Sequence, residues 1–185
     1  MYTAGDLRKG LKIQIDGQPY IITDFEFSKP GKGQAIYRVR MRNMLTGQNL
    51  DKSYRSNDKF EEADLLTRTM EYLYCDGTNY CFMDPSSYEN YLADEGVVGD
   101  RKQYMVENTE IEVLLYENRI IDITLPMTVV LKITRSDPGV RGDTATNVTK
   151  PATLETGAEV QVPLFIEVGD VIRVDTRSGK YVTRA

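Results

Sequence analysis

The sequence contains no histidine among its 185 residues. Histidine is the commonest general base, and it activates serine and cysteine nucleophiles. Its absence excludes Ser-His and Cys-His nucleophile pairs and histidine-based metal sites. A carboxylate-only enzyme stays open, but no carboxylate pair stands out from the scattered acidic residues as an acid and a base. The composition therefore favours a binding protein over an enzyme, and we expect no cofactor.

Cysteine is almost as scarce. Cys75 and Cys81 flank Asp76-Gly77-Thr78-Asn79, a sequence typical of a hairpin turn. Two cysteines are too few for a disulfide framework, and no second pair completes a zinc site. We interpret both as ordinary strand residues, with a redox or metal role as the alternative.

Long apolar runs are missing as well. The longest, around Val129-Val130-Leu131, is far shorter than the roughly 20 residues of a membrane span. Residues 1–8 have no basic start leading into an apolar stretch, so they do not resemble a secretion signal. We expect a cytoplasmic protein with no membrane contact.

Charge is unevenly distributed along the chain. The net charge of −5 and the pI of about 4.9 argue against non-specific nucleic-acid binding. Residues 28–42, however, contain no acidic residue and five basic ones, namely Lys29, Lys32, Arg38, Arg40 and Arg42. Acidic residues concentrate elsewhere, for example in 58–64 and 94–100. Such a molecule can present a basic end to an RNA while the rest of its surface avoids it.

The centre of this basic stretch is predicted to be a hairpin tip. Residues 28–34 lie between two runs that alternate apolar and polar residues, 20–27 and 35–45. Pro30 fixes one backbone dihedral, and Gly31 and Gly33 allow conformations that other residues avoid. The hairpin would therefore hold the Lys32 amine out toward a partner.

A row of arginines follows the tip. Tyr37, Val39 and Met41 alternate with Arg38, Arg40 and Arg42, so the two sets should face opposite sides of a strand. The arginine face could be a merely solvated surface. Next to an exposed lysine, with no acidic residue in the same stretch, contact with an RNA backbone is favoured.

The Gly31-Lys32-Gly33 sequence does not match a phosphate-binding P-loop. That motif needs a glycine five residues before the Gly-Lys pair, a serine or threonine after the lysine, and a helix. Here Glu26 occupies the first position, Gly33 follows the lysine, and a strand is predicted next. Nucleotide hydrolysis is therefore not expected.

The patterns predict an all-β chain of three small barrels, in residues 1–63, 64–127 and 128–185. The first has about five short strands and turn signals, as in SH3-like barrels. The second adds a helix, predicted to start at residues 84–87 and to turn Tyr88, Tyr91 and Leu92 toward the core. The third has strands around a polar loop at 141–150. The last two units are OB-like.

Several longer motifs resemble one known family. Lys29-Pro30-Gly31-Lys32-Gly33-Gln34-Ala35 and the basic strand behind it closely resemble bacterial translation elongation factor P. The resemblance continues in residues 137–144, DPGVRGDT, and 150–157, KPATLETG. The motifs run in the family's order over essentially the whole chain. The resemblance implies one SH3-like (KOW-like) domain followed by two OB domains, in an L shape resembling tRNA.

The resemblance also implies a function. Members of the family bind the ribosome between the P and E sites and rescue peptide-bond formation at consecutive prolines. Lys32 aligns with the family's tip residue, which a modifying enzyme often lengthens and which braces the CCA end of the P-site peptidyl-tRNA. The residues implied to contact tRNA or rRNA around it are Lys29, Pro30, Gly31, Gly33, Gln34, Arg38, Arg40 and Arg42. Those matching the small-subunit, codon end are Gly142, Asp143, Thr144 and Arg177. The implied factor is a non-enzymatic monomer.

Two features leave alternatives open. A lysine at the tip is compatible with β-lysylation or an aminopentanol-type extension and does not choose between them. Asn147-Val148-Thr149 replaces a glycine-rich segment common in the family, and Lys180 stands where an acidic residue is frequent. The rival interpretations are an OB-fold RNA-binding protein with unmodified Lys32, and an elongation-factor-P-like paralog. Such paralogs usually lose the Pro-Gly-Lys-Gly-Gln run that is intact here.

Overall fold

The computed structural model of the chain describes residues 1–138 and 148–185. Strands in these ranges form three sheets, within residues 2–62, 66–124 and 128–184, and each sheet has its own apolar core. This confirms the all-β class. The chain divides into two compact units, Met1–Leu66 and Thr67–Ala185. The boundaries at 63/64 and 127/128 stay predictions. No helix in the described ranges is long and apolar enough to cross a membrane.

The first sheet has six strands in the order β1-β6-β2-β3-β4-β5. They are β1 (Tyr2–Thr3), β2 (Lys12–Ile15), β3 (Gln18–Ser28), β4 (Ile36–Asn43), β5 (Asn49–Arg55) and β6 (Lys59–Glu62). A 3-10 helix, Ala4–Asp6, follows β1. A hairpin turn at Asp16-Gly17 joins β2 to β3, and both residues have a positive φ, of 50° and 75°. Alternation places Ile13, Val39 and Met41 in the core.

The second sheet has the order β11-β10-β7-β8-β9. Its strands are β7 (Leu66–Cys75), β8 (Asn79–Met83), β9 (Asn90–Asp94), β10 (Thr109–Tyr116) and β11 (Arg119–Thr124). The end strands β9 and β11 contact each other, so the sheet curls into the partly open barrel of an OB fold. Cys75 and Cys81 lie in β7 and β8 as free thiols, as predicted for ordinary strand residues.

The helix predicted from residue 84 onward is wrong. Residues 85–87 form a turn, in which the Asp84 carboxylate accepts a hydrogen bond from the Ser86 N–H at 2.8 Å. Tyr88 has a φ of 60°, which a right-handed helix does not allow, and it is exposed. Leu92 is exposed as well, and only Tyr91 packs against the core. An Asp-Pro-Ser sequence starts turns as readily as helices, which explains the error.

The helix of this barrel lies later in the chain. Helix α1 (Glu95–Val98) begins after Asp94, whose carboxylate accepts a hydrogen bond from the Val97 N–H at 3.0 Å. A 3-10 helix, Gly99–Tyr104, continues it. The Arg101 guanidinium donates to the carbonyl oxygens of Val97 and Ile123, and so ties this segment to β11.

The third sheet has the order β14-β13-β12-β15-β16. Its strands are β12 (Thr128–Ser136), β13 (Thr149–Leu154), β14 (Glu159–Pro163), β15 (Val171–Asp175) and β16 (Tyr181–Arg184). The end strands β14 and β16 contact each other, so this sheet also curls into a barrel. Strand β13 was not predicted from the sequence, because Pro151 interrupts the alternation of apolar and polar residues along it. Its buried residues still alternate, as Lys150, Ala152 and Leu154.

The second and third barrels share a joint within the unit Thr67–Ala185. Met105 lies in the core of the second barrel, whereas its neighbours Tyr104 and Val106 pack against the core of the third. The Thr176 hydroxyl donates to the Pro126 carbonyl oxygen at 2.6 Å. Consecutive side chains therefore fasten the two barrels together.

Candidate functional site

Residues 29–35 connect β3 to β4 and hold Lys32 at the centre of a tight turn. The Gly33 N–H donates to the Pro30 carbonyl oxygen at 2.7 Å. Gly31, at the first central position, has a φ of 37°, in the region that favours glycine. A Cβ on Gly33 would lie 3.0 Å from that carbonyl oxygen. The turn thus favours glycine at both positions, and Lys32 is exposed as predicted.

The remaining predicted tip residues surround Lys32 in the same loop. Lys29, Pro30 and Gln34 are all exposed. Pairing of β3 with β4 continues to Ser28 and Ile36, so the Lys32 Cα lies at most about 14 Å beyond Ser28. The loop is therefore a short projection from a paired hairpin.

Aromatic side chains support the hairpin close to the loop. The Tyr37 ring lies 5.1 Å from the Phe27 ring and 5.9 Å from the Phe25 ring, measured between centroids. Phe27 is 52% exposed, although it is apolar. Since such ring pairs stabilise strands beyond simple burial, the hairpin has an apolar anchor that sequence analysis missed. Alternating aromatics at 25, 27 and 37 were the available signal.

The arginine row has the predicted geometry. Arg38, Arg40 and Arg42 are exposed on one face of β4, whereas Val39 and Met41 are buried on the other. Residues two apart on a strand are spaced by about 6.5 Å. The row thus presents three cations at regular intervals behind the Lys32 loop.

The absence of acidic residues from 28–42 does not leave the arginine row without neutralising acids. Arg40 donates to both carboxylate oxygens of Asp51 on β5, at 3.0 and 3.4 Å. Asp24 and Glu26 on β3 lie opposite Arg40 and Arg38 in the sheet register. The hydrogen bond from Arg40 to Asp51 and the charge of Asp51 raise the pKa of Arg40 above its usual value. Antiparallel pairing brings acids from other parts of the sequence beside the row.

The other two arginines differ from Arg40. Within residues 1–138 and 148–185, neither Arg38 nor Arg42 forms an ion pair. The row therefore offers two unpaired cations and one that an exposed carboxylate holds.

Arg177 lies in the loop between β15 and β16, far along the chain from Lys32. The Asp175 carboxylate accepts hydrogen bonds from the Arg177 and Ser178 N–H groups, both at 2.9 Å. These backbone donors, Ser178 first, lower the pKa of Asp175. The Arg177 side chain is exposed. Gly142, Asp143 and Thr144 lie outside the described residues, so their role beside Arg177 stays a prediction.

Three family models match the chain in succession. Residues 3–60 match the elongation factor P KOW-like domain, 65–123 the elongation factor P OB domain, and 129–184 the elongation factor P C-terminal domain. The chain belongs to the elongation factor P family. It is a translation elongation factor, with a KOW-like barrel followed by OB-type barrels.

Relatives in the elongation factor P family are similar over their whole length. Elongation factor P of Desulfotalea psychrophila is 54% identical over 184 residues, covering 100% of this chain and 98% of the relative. That of Pectobacterium atrosepticum is 48% identical over 183 residues, covering 99% and 97%. A solved structure, eukaryotic translation initiation factor 5A from Methanococcus jannaschii, superposes with a TM-score of 0.55 at 27% identity. It covers 66% of this chain and 92% of its own, and so supports the fold of the elongation factor P family found here.

Proposed function

We propose that the chain binds the ribosome between the P and E sites and stimulates peptide-bond formation at consecutive prolines. Lys32 contacts the CCA end of the P-site peptidyl-tRNA and carries an extension added by a modifying enzyme. The observation behind this proposal is the exposed Lys32 at the centre of a turn that its two neighbouring glycines define. The factor acts in the cytoplasm, as a monomer.

Positioning alone is sufficient for this role. Proline reacts poorly in peptidyl transfer, and a misplaced acceptor end loses the advantage of orientation, which reaches roughly 7–11 kcal/mol in favourable cases. A hairpin anchored by Tyr37 and its aromatic neighbours can hold the tRNA end in place. The factor then performs no chemistry of its own.

The arginine row contacts phosphates of tRNA or rRNA. Arg38 and Arg42 are available for this, whereas Arg40 exchanges Asp51 for a phosphate when it binds. Because exposed ion pairs contribute little to stability, the loss of the Arg40–Asp51 pair costs little free energy. At the other end of the chain, Arg177 contacts the small subunit together with Gly142, Asp143 and Thr144.

Mass spectrometry of the protein purified from its native cells tests the modification. We expect an intact mass above that of the sequence, and peptide fragmentation that places the added mass on Lys32. Lys29, three residues away, serves as the internal control and stays unmodified. Native protein with an unmodified Lys32 would contradict the proposal and favour a plain single-stranded RNA-binding protein, which OB barrels also support.

A further inference from the structure

The loop that carries Arg177 is bonded to parts of the chain outside its own sheet. It comprises residues 176–180, between β15 and β16. Inside it, the Gly179 N–H donates to the Asp175 carbonyl oxygen at 2.8 Å, and the Asp175 N–H donates to the Lys180 carbonyl oxygen at 2.9 Å. These bonds fix the shape of the loop, and contacts with other elements fix its direction.

One such contact comes from Thr176, the neighbour of Arg177. The Thr176 N–H donates to the Met127 carbonyl oxygen at 3.0 Å. The Thr176 hydroxyl donates to the Pro126 carbonyl oxygen at 2.6 Å and lies 3.2 Å from that of Met127. Pro126 and Met127 lie between β11 and β12, in the connection from the second barrel to the third. The residue before Arg177 is thus bonded to this connection.

The second contact comes from Tyr104, at the end of a 3-10 helix of the second barrel. Tyr104 packs against the core of the third barrel. Its hydroxyl oxygen lies so close to Gly179 that a Cβ on this glycine would be 2.5 Å away. Gly179 follows Arg177 by two residues. Restraints therefore lie on both sides of Arg177 in the sequence, and both come from residues outside the third sheet.

Such restraints matter because Arg177 has little to hold it otherwise. Its side chain is 72% exposed, and its guanidinium lies 3.9 Å from the Asp175 carboxylate, a long distance for an ion pair. The position of the guanidinium therefore depends on the backbone that carries it. Binding to a partner has to order whatever is mobile, and each group that is ordered costs affinity. A loop that is fixed in advance avoids part of that cost.

We propose that Thr176 and Tyr104 are positioning residues for Arg177, and that they hold its loop in the orientation in which the guanidinium meets the ribosome. The inference rests on the proposed function in one respect, because it takes the contact between Arg177 and the ribosome from there. It adds that binding through the third barrel depends on the second barrel and on the connection between them.

Binding of full-length variants to ribosomes purified from the same cells tests the proposal. Thr176→Val keeps the shape of the side chain and removes its hydroxyl, so the loop should loosen and the affinity should fall about two- to tenfold. Thr176→Ser keeps the hydroxyl and should bind like the wild type. Thr156→Val is the matched control, because the Thr156 hydroxyl also bonds the two barrels together, by donating to the Gln103 carbonyl oxygen. The control should leave the affinity unchanged.

Two further readouts separate positioning from a merely structural role. Arg177→Ala should weaken binding and lower its salt slope by about one unit, and adding Thr176→Val should then cause no further loss. By NMR relaxation of the free protein, the order parameter of the Arg177 N–H should fall from about 0.85 toward about 0.6 in Thr176→Val. Thermal unfolding confirms that each variant is folded. If Thr176→Val does not fold, Tyr104→Phe takes its place, because it frees the loop at Gly179.

The proposal is overturned if Thr176→Val weakens binding equally in the wild-type and Arg177→Ala backgrounds, or if Thr156→Val weakens it as much as Thr176→Val. An Arg177→Ala protein that binds ribosomes like the wild type, or an Arg177 order parameter that is the same in Thr176→Val, would also overturn it. Any of these results, obtained while Lys32 remains essential for proline-rich synthesis, refutes only the positioning of Arg177 and leaves the proposed role of Lys32 intact.

Discussion

In several of the tight turns, an aspartate carboxylate accepts hydrogen bonds from backbone N–H groups of the turn. Asp84 is buried, accepts a hydrogen bond from the Ser86 N–H, and accepts another from the Arg68 guanidinium at 2.7 Å. The backbone donor from Ser86, followed by Arg68, lowers the pKa of Asp84. This carboxylate therefore connects the turn at residues 85–87 to β7.

The pH dependence of stability tests the role of Asp84. Because its pKa is lower in the folded state than the ordinary value of about 3.9, its contribution is fully present above about pH 4. That contribution is lost as the pH falls through the folded-state pKa. We expect Asp84→Asn to lower the thermal midpoint at neutral pH, and the difference from wild type to shrink below about pH 4.

The matched control for this experiment is Asp64→Asn, which removes an exposed carboxylate and should leave the midpoint unchanged. A difference between wild type and Asp84→Asn that stayed constant down to acidic pH would show that the charge of Asp84 does not stabilise the turn.

Among the secondary-structure elements, hairpins were predicted from the sequence more accurately than any other feature. Period-two alternation and Asp-Gly turns predicted most strands of all three sheets. The failures occurred where local chemistry was ambiguous. Asp84-Pro85-Ser86 began a turn instead of a helix, and Pro151 concealed β13. For β13, pairing with β12 and β14, which sequence periodicity does not contain, decided the conformation.

The joint between the second and third barrels is also an element-level feature. Gly179, in the loop that carries Arg177, has a φ of 69°, and a Cβ there would lie 2.5 Å from the Tyr104 hydroxyl oxygen. The next atom, Cζ of Tyr104, is 3.7 Å away, an ordinary contact distance. The hydroxyl of Tyr104 therefore constrains what can stand at position 179.

A double-mutant cycle in urea unfolding tests this contact. Gly179→Ala should lower the free energy of unfolding by about 1–2 kcal/mol, because alanine is strained at a positive φ. Overpacking against Tyr104 should lower it by about 1–3 kcal/mol more. In a Tyr104→Phe background only the first cost should remain. Gly157→Ala in the same barrel measures backbone strain alone, because Gly157 has a φ of 85° and no neighbour within 4 Å. Equal costs in both backgrounds would show that the hydroxyl moves aside freely.

For the whole molecule, charge placement determines what can approach RNA. The sequence predicted the exposed Lys32 loop and the arginine face correctly, because both depend on local order along one hairpin. The position of Asp51 beside Arg40 could not be predicted. It arises from pairing between strands, and the pattern within a single strand carries no information on the register between strands.

The salt dependence of ribosome binding tests the paired arginine. In the wild type, Arg40 must leave Asp51 to contact a phosphate, and the freed carboxylate takes up a cation from solution. Asp51→Asn removes that uptake, so the net release of ions on binding rises by about one. We expect tighter binding at low salt and a slope of log affinity against log salt that is steeper by about one unit. Asp16→Asn makes the same charge change in the turn between β2 and β3 and is the control. Identical slopes for the two variants would place Arg40 away from RNA.

The central claim is that Lys32 acts by positioning a tRNA end, and synthesis of a Pro-Pro-Pro reporter tests it most directly. Extracts depleted of the factor receive native protein, Lys32→Ala, or Lys59→Ala, which removes an exposed lysine of β6. We expect native protein and Lys59→Ala to restore reporter synthesis. With Lys32→Ala, the rate of reporter synthesis should be lower by up to about 100-fold. A Lys32→Ala protein as active as native protein, or native protein that restores nothing, would contradict the account.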